Sequence, residues 1–208
     1  QQYGHSLTKA LEVAVNDIDR KEIQNELGEL LDSQMNQTDQ AIGYFQRALE
    51  VDPQFLPAIE NLERIYTQRG QNRELVDILN RKVAALSDPG EIATTKLRIG
   101  SLYESTLGDP QKAAQVYRET LDVDQSNVQA MRGLARTCEV LEQWSDLVKV
   151  LEQQLDVVTT ERERIEVLMQ LANLQEEHFL KSDIAAQRLE QVVEIDPSHE
   201  EAYTALER

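Results

Sequence analysis

Three arginines stand at matching positions in the sequence, at steps of 72 residues: Arg64, Arg136 and Arg208. A series of acids follows the same step and is called the acid series here: Asp32, Glu104 and Glu176. An arginine side chain presents a planar fork of N–H donors that matches the two oxygens of a carboxylate. The chemistry that these residues support is therefore recognition of an acidic group, on a partner or within the chain itself.

Two interpretations of these arginines remain open, and Arg132 belongs with them. In the first, Arg64, Arg132 and Arg136 hold a carboxylate of a bound segment. In the second, the arginines pair with the acid series on adjacent helices and hold neighbouring elements together. Opposite charges that recur at a fixed step favour the second interpretation, although an exposed ion pair stabilises a fold by only ~0–1 kcal/mol.

Other residue types that carry chemistry are sparse. The chain has one cysteine, Cys138, which excludes an internal disulfide and a multi-cysteine metal site. His5, His178 and His199 share no helical face at a spacing of three or four, so the sequence predicts no metal site. Because it also contains no glycine-rich phosphate loop, nucleophile elbow or paired-histidine motif, we predict a protein that is not an enzyme and holds no cofactor.

The charge balance of the chain is strongly acidic. Asp and Glu number 38 against 21 Lys and Arg, which gives a formal net charge of −17. Such a chain repels nucleic acid and anionic membranes, so we predict neither as a partner. The excess of acid suggests a basic partner surface, and the alternative is a solvated exterior that keeps the chain soluble. No apolar run approaches the ~18–20 residues of a membrane span. The compartment stays open, with a cytoplasmic location preferred.

The chain repeats itself with a period of 72 residues. One column of this period is acidic: Asp52, Asp124 and Asp196. Other columns are apolar or small: Leu27, Ile99 and Leu171; Ala41, Ala113 and Ala185; Leu62, Leu134 and Leu206. Within each half-period the apolar residues recur at intervals of three and four, which places them on one face of a helix. The sequence therefore predicts pairs of helices, alternately long and short.

These columns resemble the tetratricopeptide repeat along the whole chain. That family has a Leu-Gly pair, a Tyr three residues later, then Ala, an aromatic residue and a closing Pro. The first long copy supplies Leu27-Gly28, Ala41, Phe45, Ala48 and Pro53. Other copies depart from it, since Gln125 replaces the Pro, Gln175 the Tyr and Glu142 the turn Gly. The resemblance implies an all-α, right-handed solenoid of tandem helical hairpins with about 12 helices.

The repeat boundaries follow from this alignment. Five whole hairpins are predicted at 16–53, 54–87, 88–125, 126–159 and 160–197. Residues 1–15 match a second helix and 198–208 a first helix, so we interpret the chain as one solenoid cut from a longer array. Its regular alternation is similar to that of large bacterial repeat proteins.

In the tetratricopeptide family the first helix of each hairpin lines a concave surface where partners bind. The resemblance therefore implies a binding face made by Arg64, Gln68, Arg132, Arg136, Met169 and Asn173. We predict a scaffold that binds a segment of a partner protein there. Two alternatives are a docking or regulatory arm of a larger enzyme, and a structural component that stacks end to end with itself.

Column positions also assign roles in packing. Cys138 occupies the column of Tyr66 and is expected to be a core thiol. Trp144 opens a second helix, where it either packs in the hairpin turn or anchors a ligand. The small residues Gly28 and Ala135 are among those expected where two helices approach closely.

Overall fold

The computed structural model of this protein describes residues 6, 9–11 and 16–207. Residues 16–207 form eleven α-helices and one π-helical segment, and no strand occurs among the described residues. The helices are α1 (Asp17–Met35), α2 (Thr38–Val51), α3 (Leu56–Arg69), α4 (Asn72–Ala85), α5 (Pro89–Leu102), α6 (Pro110–Val123), α7 (Val128–Val140), α8 (Trp144–Val157), α9 (Glu161–Glu177), α10 (Ser182–Ile195) and α11 (Glu200–Leu206). The π-helical segment, Tyr103–Leu107, directly follows α5 in the chain. The predicted all-α fold is confirmed.

The described residues divide into two compact units. Unit 1 ends at Leu102 and contains α1 to α5, and unit 2 begins at Tyr103 with the π-helical segment and contains α6 to α11. Within each unit, helices that follow one another in the chain pack side by side. The part of the chain that is described contains no helix both long and apolar enough to cross a membrane.

Small residues set how closely the packed helices approach. A Cβ atom added to Gly28 on α1 would lie 2.6 Å from the ring of Phe45 on α2. In unit 2, a Cβ atom on Gly133 of α7 would lie 2.4 Å from the ring of Tyr117 on α6. Both rings are buried. The ring of one helix therefore fills the space that a glycine leaves on its neighbour.

Each turn between the two helices of a pair contains one residue in the left-handed conformation. Two are glycines, Gly70 and Gly108, which adopt this conformation without steric cost. The other three are Asn36, Glu142 and Leu180, with φ between 51 and 55°. The turn geometry is thus kept where the sequence has lost the favoured glycine, as at the predicted Gly position of Glu142.

Helix starts are marked by side-chain caps. Asp109, the residue before Pro110, accepts the backbone N–H of Lys112 at 3.0 Å. Asn127 and Thr160 cap α7 and α9 in the same manner. Each cap satisfies an N–H group that the helix itself cannot pair, so the starts of these helices are well defined.

Helices of the two units start at matching places. The first residues of α3 and α7 are Leu56 and Val128, those of α4 and α8 are Asn72 and Trp144, and those of α5 and α9 are Pro89 and Glu161. Each pair differs by 72 positions. Residues of the two units can therefore be compared one by one at this offset.

Gly133→Ala tests the close approach of α7 and α6. We expect it to lower the free energy of unfolding by ~1–3 kcal/mol, because the added methyl group meets the buried ring of Tyr117. Gly43→Ala on α2 is the matched control, since a Cβ there meets nothing within 4 Å. The control should gain ~0.5–1 kcal/mol from helix propensity. Urea denaturation of both variants measures the change in the free energy of unfolding. Equal changes in Gly133→Ala and Gly43→Ala would contradict the close packing of α7 on α6.

Leu180→Gly tests the strained turn before α10. Leu180 has φ 53° and an exposed fraction of 84 %, so its side chain contributes little packing to offset the left-handed conformation. We expect Leu180→Gly to raise the free energy of unfolding by roughly 0.5–1 kcal/mol. Gly108→Ala, at the equivalent turn with open space around it, should lower it by a similar amount. Thermal melts of the two variants that shift in the same direction would refute the explanation.

Candidate functional site

A cleft of about 430 Å³ in unit 2 combines polar and apolar groups. It is lined by the first helices α7 and α9 and by the second helix α8. We call it the unit 2 cleft. Its lining includes Arg132, Ala135, Arg136, Glu139, Trp144, Gln154, Gln170, Asn173, Glu177 and His178.

The structure brings together half of the residues predicted to form the binding face. Arg132, Arg136 and Asn173 line the unit 2 cleft. Met169 is half-buried on α9 and is not part of the cleft lining. The remaining two, Arg64 and Gln68, are exposed on α3 of unit 1. Arg208 and His5 lie outside the described residues.

The arginines of the cleft are already paired with carboxylates of the chain. Nitrogen atoms of the Arg136 guanidinium lie 2.7 and 3.0 Å from the two carboxylate oxygens of Glu104. A guanidinium nitrogen of Arg132 lies 2.7 Å from an oxygen of Glu163 on α9. In unit 1, Arg64 donates to Asp32 at 2.5 Å. Asp32 and Glu104 are the partners expected if the arginines hold neighbouring helices together, whereas Glu163 was not foreseen.

A polar side chain without a partner lies in the wall of the cleft. Gln154 of α8 is 5 % exposed. None of the residues that the structure describes makes a hydrogen bond with its side-chain amide. Gln154 therefore offers a donor and an acceptor to whatever enters the cleft.

An aromatic pair lies at the end of the cleft where α8 begins and α9 ends. The rings of Trp144 and His178 are stacked, with centroids 3.8 Å apart and planes inclined by 14°. Trp144 opens α8 as predicted, but its ring is half-buried and also lines the cleft. His178 was expected to be isolated, and the stacking shows that tertiary packing brought it to a residue 34 positions away.

Unit 1 contains an ion network at the positions 72 residues before four lining residues of the unit 2 cleft. Glu63 accepts from Lys82 at 2.8 Å and is also bound by Arg98. The second terminal nitrogen of Arg98 donates to the hydroxyl of Thr67 at 2.8 Å. We call these four residues the unit 1 network. At the offset of 72 they correspond, in the same order, to Ala135, Gln154, Gln170 and Glu139.

All four corresponding residues line the unit 2 cleft. Ala135 removes the carboxylate that holds the network together in unit 1, and it is half-buried, facing the cleft. Gly133, two residues before Ala135, meets the ring of Tyr117 where α7 approaches α6 closely. A comparison of polar columns at the 72-residue offset would have exposed the difference between the two units.

Family models agree with the repeat pattern. Models of the tetratricopeptide repeat match residues 58–93, 97–129 and 130–165, and a further one matches 22–55. The chain belongs to the tetratricopeptide repeat family. None of the curated proteins matches this chain.

Solved tetratricopeptide repeat proteins have a similar fold. YrrB, described as a TPR protein with an unusual peptide-binding site, is 15 % identical with a TM-score of 0.51, covering 99 % of this chain and 100 % of its own. MamA is 15 % identical with a TM-score of 0.52, covering 87 % of this chain and 94 % of its own. The C-terminal part of a TPR repeat-containing protein from Cytophaga hutchinsonii is 16 % identical with a TM-score of 0.52, covering 89 % and 73 %. At such identities the likeness concerns the fold alone.

Tetratricopeptide repeats of this chain carry no further reactive cluster in their described part. Cys138 is fully buried, and burial raises the pKa of its thiol, which makes it a core residue as predicted. Among the described residues no group of three or more His, Cys, Asp or Glu side chains could hold a metal ion. The unit 2 cleft is therefore the site that we consider for function.

One carboxylate beside the cleft is held ionised by its neighbours. The hydrogen bonds from Arg136 lower the pKa of Glu104 below its usual value, against the effect of burial, and the hydroxyl of Tyr117 also donates to Glu104 at 2.6 Å. Burial and the same hydrogen bond raise the pKa of Tyr117. Burial works to raise the pKa of Asp32 in unit 1, but hydrogen bonds from Arg64 and Thr38 outweigh it and lower that pKa.

Glu104→Gln tests whether this ion pair stabilises the repeats. Because folding lowers the pKa of Glu104, its contribution is present above the pKa of the unfolded chain and is lost as the pH falls through the folded pKa. We expect Glu104→Gln to destabilise the chain by about 1 kcal/mol at pH 7 and by much less at pH 3. Urea denaturation at both pH values checks this. Glu190→Gln, on the exposed surface of α10, is the control. An equal loss of stability in Glu104→Gln at both pH values would contradict the proposed linkage.

Proposed function

We propose that the chain is a non-catalytic scaffold that binds an extended segment of a partner protein in the unit 2 cleft. Tetratricopeptide repeat proteins act in general as scaffolds for protein–protein interaction, and this chain belongs to that family. The observation that carries the proposal is Gln154, a residue only 5 % exposed, whose side-chain amide has no partner among the described residues and lines a cleft open to solvent.

The lining of the cleft suits a polypeptide. Apolar side chains such as Leu147 and Leu151 lie beside the amides of Gln154, Gln170 and Asn173. Amide side chains both donate and accept hydrogen bonds, so they can pair with the N–H and C=O groups of an extended backbone. A peptide-binding site is also reported for YrrB, whose fold is similar.

The position of the predicted residues supports a narrower site than the whole first-helix face. Arg132, Arg136 and Asn173 remain candidates for contact with the partner because they line the cleft. Since both arginines are held by carboxylates of the chain, we propose that they shape the wall while Gln154 and Gln170 make the hydrogen bonds.

A variant that copies the unit 1 network into unit 2 tests the proposal. Ala135→Glu/Gln154→Lys/Gln170→Arg introduces the residues that unit 1 holds at these positions, so we expect the variant to fold with the cleft filled. The probe is a nonapeptide selected from a displayed random library on the wild-type chain. Because Trp144 is the one tryptophan of the sequence, its fluorescence reports binding directly.

We expect the filled variant to bind the selected peptide at least about tenfold more weakly, a loss of ~1.4 kcal/mol. Circular dichroism and thermal melts establish that it is folded, and Glu190→Gln should bind like the wild type. Unchanged affinity in the filled variant, or a library that yields no peptide able to alter Trp144 fluorescence, would overturn the proposal. Oligomers that grow with concentration in light scattering would instead favour self-stacking.

A further inference from the structure

We infer that the unit 2 cleft binds a cationic side chain of the partner segment, arginine above all, at the position that Arg98 holds in unit 1. This inference rests on the proposed function and adds the chemistry of the ligand. It follows from a comparison of the two units of the same chain, at positions where helices start 72 residues apart.

In unit 1, side chains of the protein itself occupy the space between α3, α4 and α5. Arg98 reaches from α5 to Glu63 and Thr67 on α3, and Lys82 of α4 binds the same carboxylate. The side chains of Lys82 and Glu63 are 24 and 16 % exposed and that of Arg98 is 40 % exposed, so Arg98 reaches an enclosed carboxylate from the solvent side. A guanidinium group thus fits between the first helices of adjacent hairpins.

In unit 2 the equivalent space lies between α7, α8 and α9, but the two cationic side chains are replaced. Gln170 occupies the position equivalent to Arg98, and Gln154 the position equivalent to Lys82, so two positive charges are absent. Ala135 stands for Glu63 and leaves room for a side chain from outside. Glu139 stands for Thr67, so the position that accepts a hydrogen bond from Arg98 in unit 1 carries a full negative charge in unit 2.

Two carboxylates of the cleft are free to receive a cation. Glu139 at the end of α7 and Glu177 at the end of α9 both line it. Neither forms an ion pair or side-chain hydrogen bond with any residue that the structure describes. Together with the amide oxygen of Gln154, these carboxylates offer acceptors to a guanidinium group, which has five donors and no acceptor.

The stacked pair of Trp144 and His178 adds flat aromatic surface to the lining of the cleft. Arginine packs well on aromatic rings, because a guanidinium plane is weakly hydrated and is attracted to the ring face. Trp144 lines the cleft with its ring half-buried. The methylene stem of an arginine can lie along Leu147 and Leu151 while its charged end reaches the carboxylates.

An anionic ligand fits the cleft poorly. Its two guanidinium groups are neutralised, Arg136 by both oxygens of Glu104 and Arg132 by Glu163. A bound carboxylate would have to displace one of these acids or face Glu139 and Glu177. The formal net charge of −17 further repels anions and attracts cationic segments at low ionic strength.

Three displayed pools of random nonapeptides test the inference. One allows Arg and Lys but no acids, one allows Asp and Glu but no bases, and one contains no charged residue. Peptides selected from each pool are synthesised with blocked ends, and their binding is followed by Trp144 fluorescence. The variants are Glu139→Gln/Glu177→Gln and the matched control Glu190→Gln.

We expect the basic pool to yield the binders, and each binder to lose affinity at least about tenfold when its single Arg is replaced by Gln. Glu139→Gln/Glu177→Gln should cause a loss of similar size, while Glu190→Gln should not. Affinity should also fall when NaCl rises from about 50 to 500 mM, because exposed charges are screened.

The other outcomes separate this inference from the proposed function. Binders that come from the acidic or uncharged pool and still alter Trp144 fluorescence would overturn the cationic ligand but keep peptide binding in the cleft. Basic binders that are insensitive to Glu139→Gln/Glu177→Gln would also overturn it. No binders from any pool would overturn both.

Discussion

A helical hairpin cannot cover its own apolar face, and the structure of each unit depends on this constraint. Within each unit, neighbouring pairs of helices bury their apolar faces against each other, so stability is shared between neighbours. Rings and small residues alternate both within a pair, where Phe45 meets Gly28, and between pairs, where Tyr117 meets Gly133. The same contact fixes the distance between successive first helices. That distance decides which polar side chains can reach each other across the binding face.

Polar residues on the first helices use this spacing for ion pairs. Arg64 reaches Asp32 in unit 1, and Arg136 reaches Glu104 in unit 2. Such pairs hold adjacent hairpins in register, and they also neutralise charged groups that a ligand could otherwise bind. A surface that is rich in charged residues is therefore not by itself a recognition surface. The groups available to a partner are those whose internal counterpart has been lost.

The unit 2 cleft arises from that loss. A single carboxylate, Glu63, gathers Lys82 and Arg98 in unit 1. With Ala135 in its place, the long cationic side chains have nothing to bind, and glutamines replace them. The backbone of the repeat is retained because its apolar contacts are unaffected. Loss of one internal ion network thus turns a filled place between helices into an open one without a change of fold.

Periodicity in the sequence was sufficient to predict the fold class, the family, the buried Cys138 and the helix that starts at Trp144. These features depend on which residues share a helical face, and spacing along the chain determines that directly. The sequence also placed Arg132, Arg136 and Asn173 on one surface, but it left open whether the arginines were free to bind a ligand.

Tertiary structure alone decided that these arginines are paired, that Trp144 stacks on His178, and that the side-chain amide of Gln154, a residue only 5 % exposed, has no partner among the described residues. Each of these facts depends on how far side chains on different hairpins reach. Their reach is set by packing distances and rotamers in three dimensions, which the order of residues along a helix does not specify.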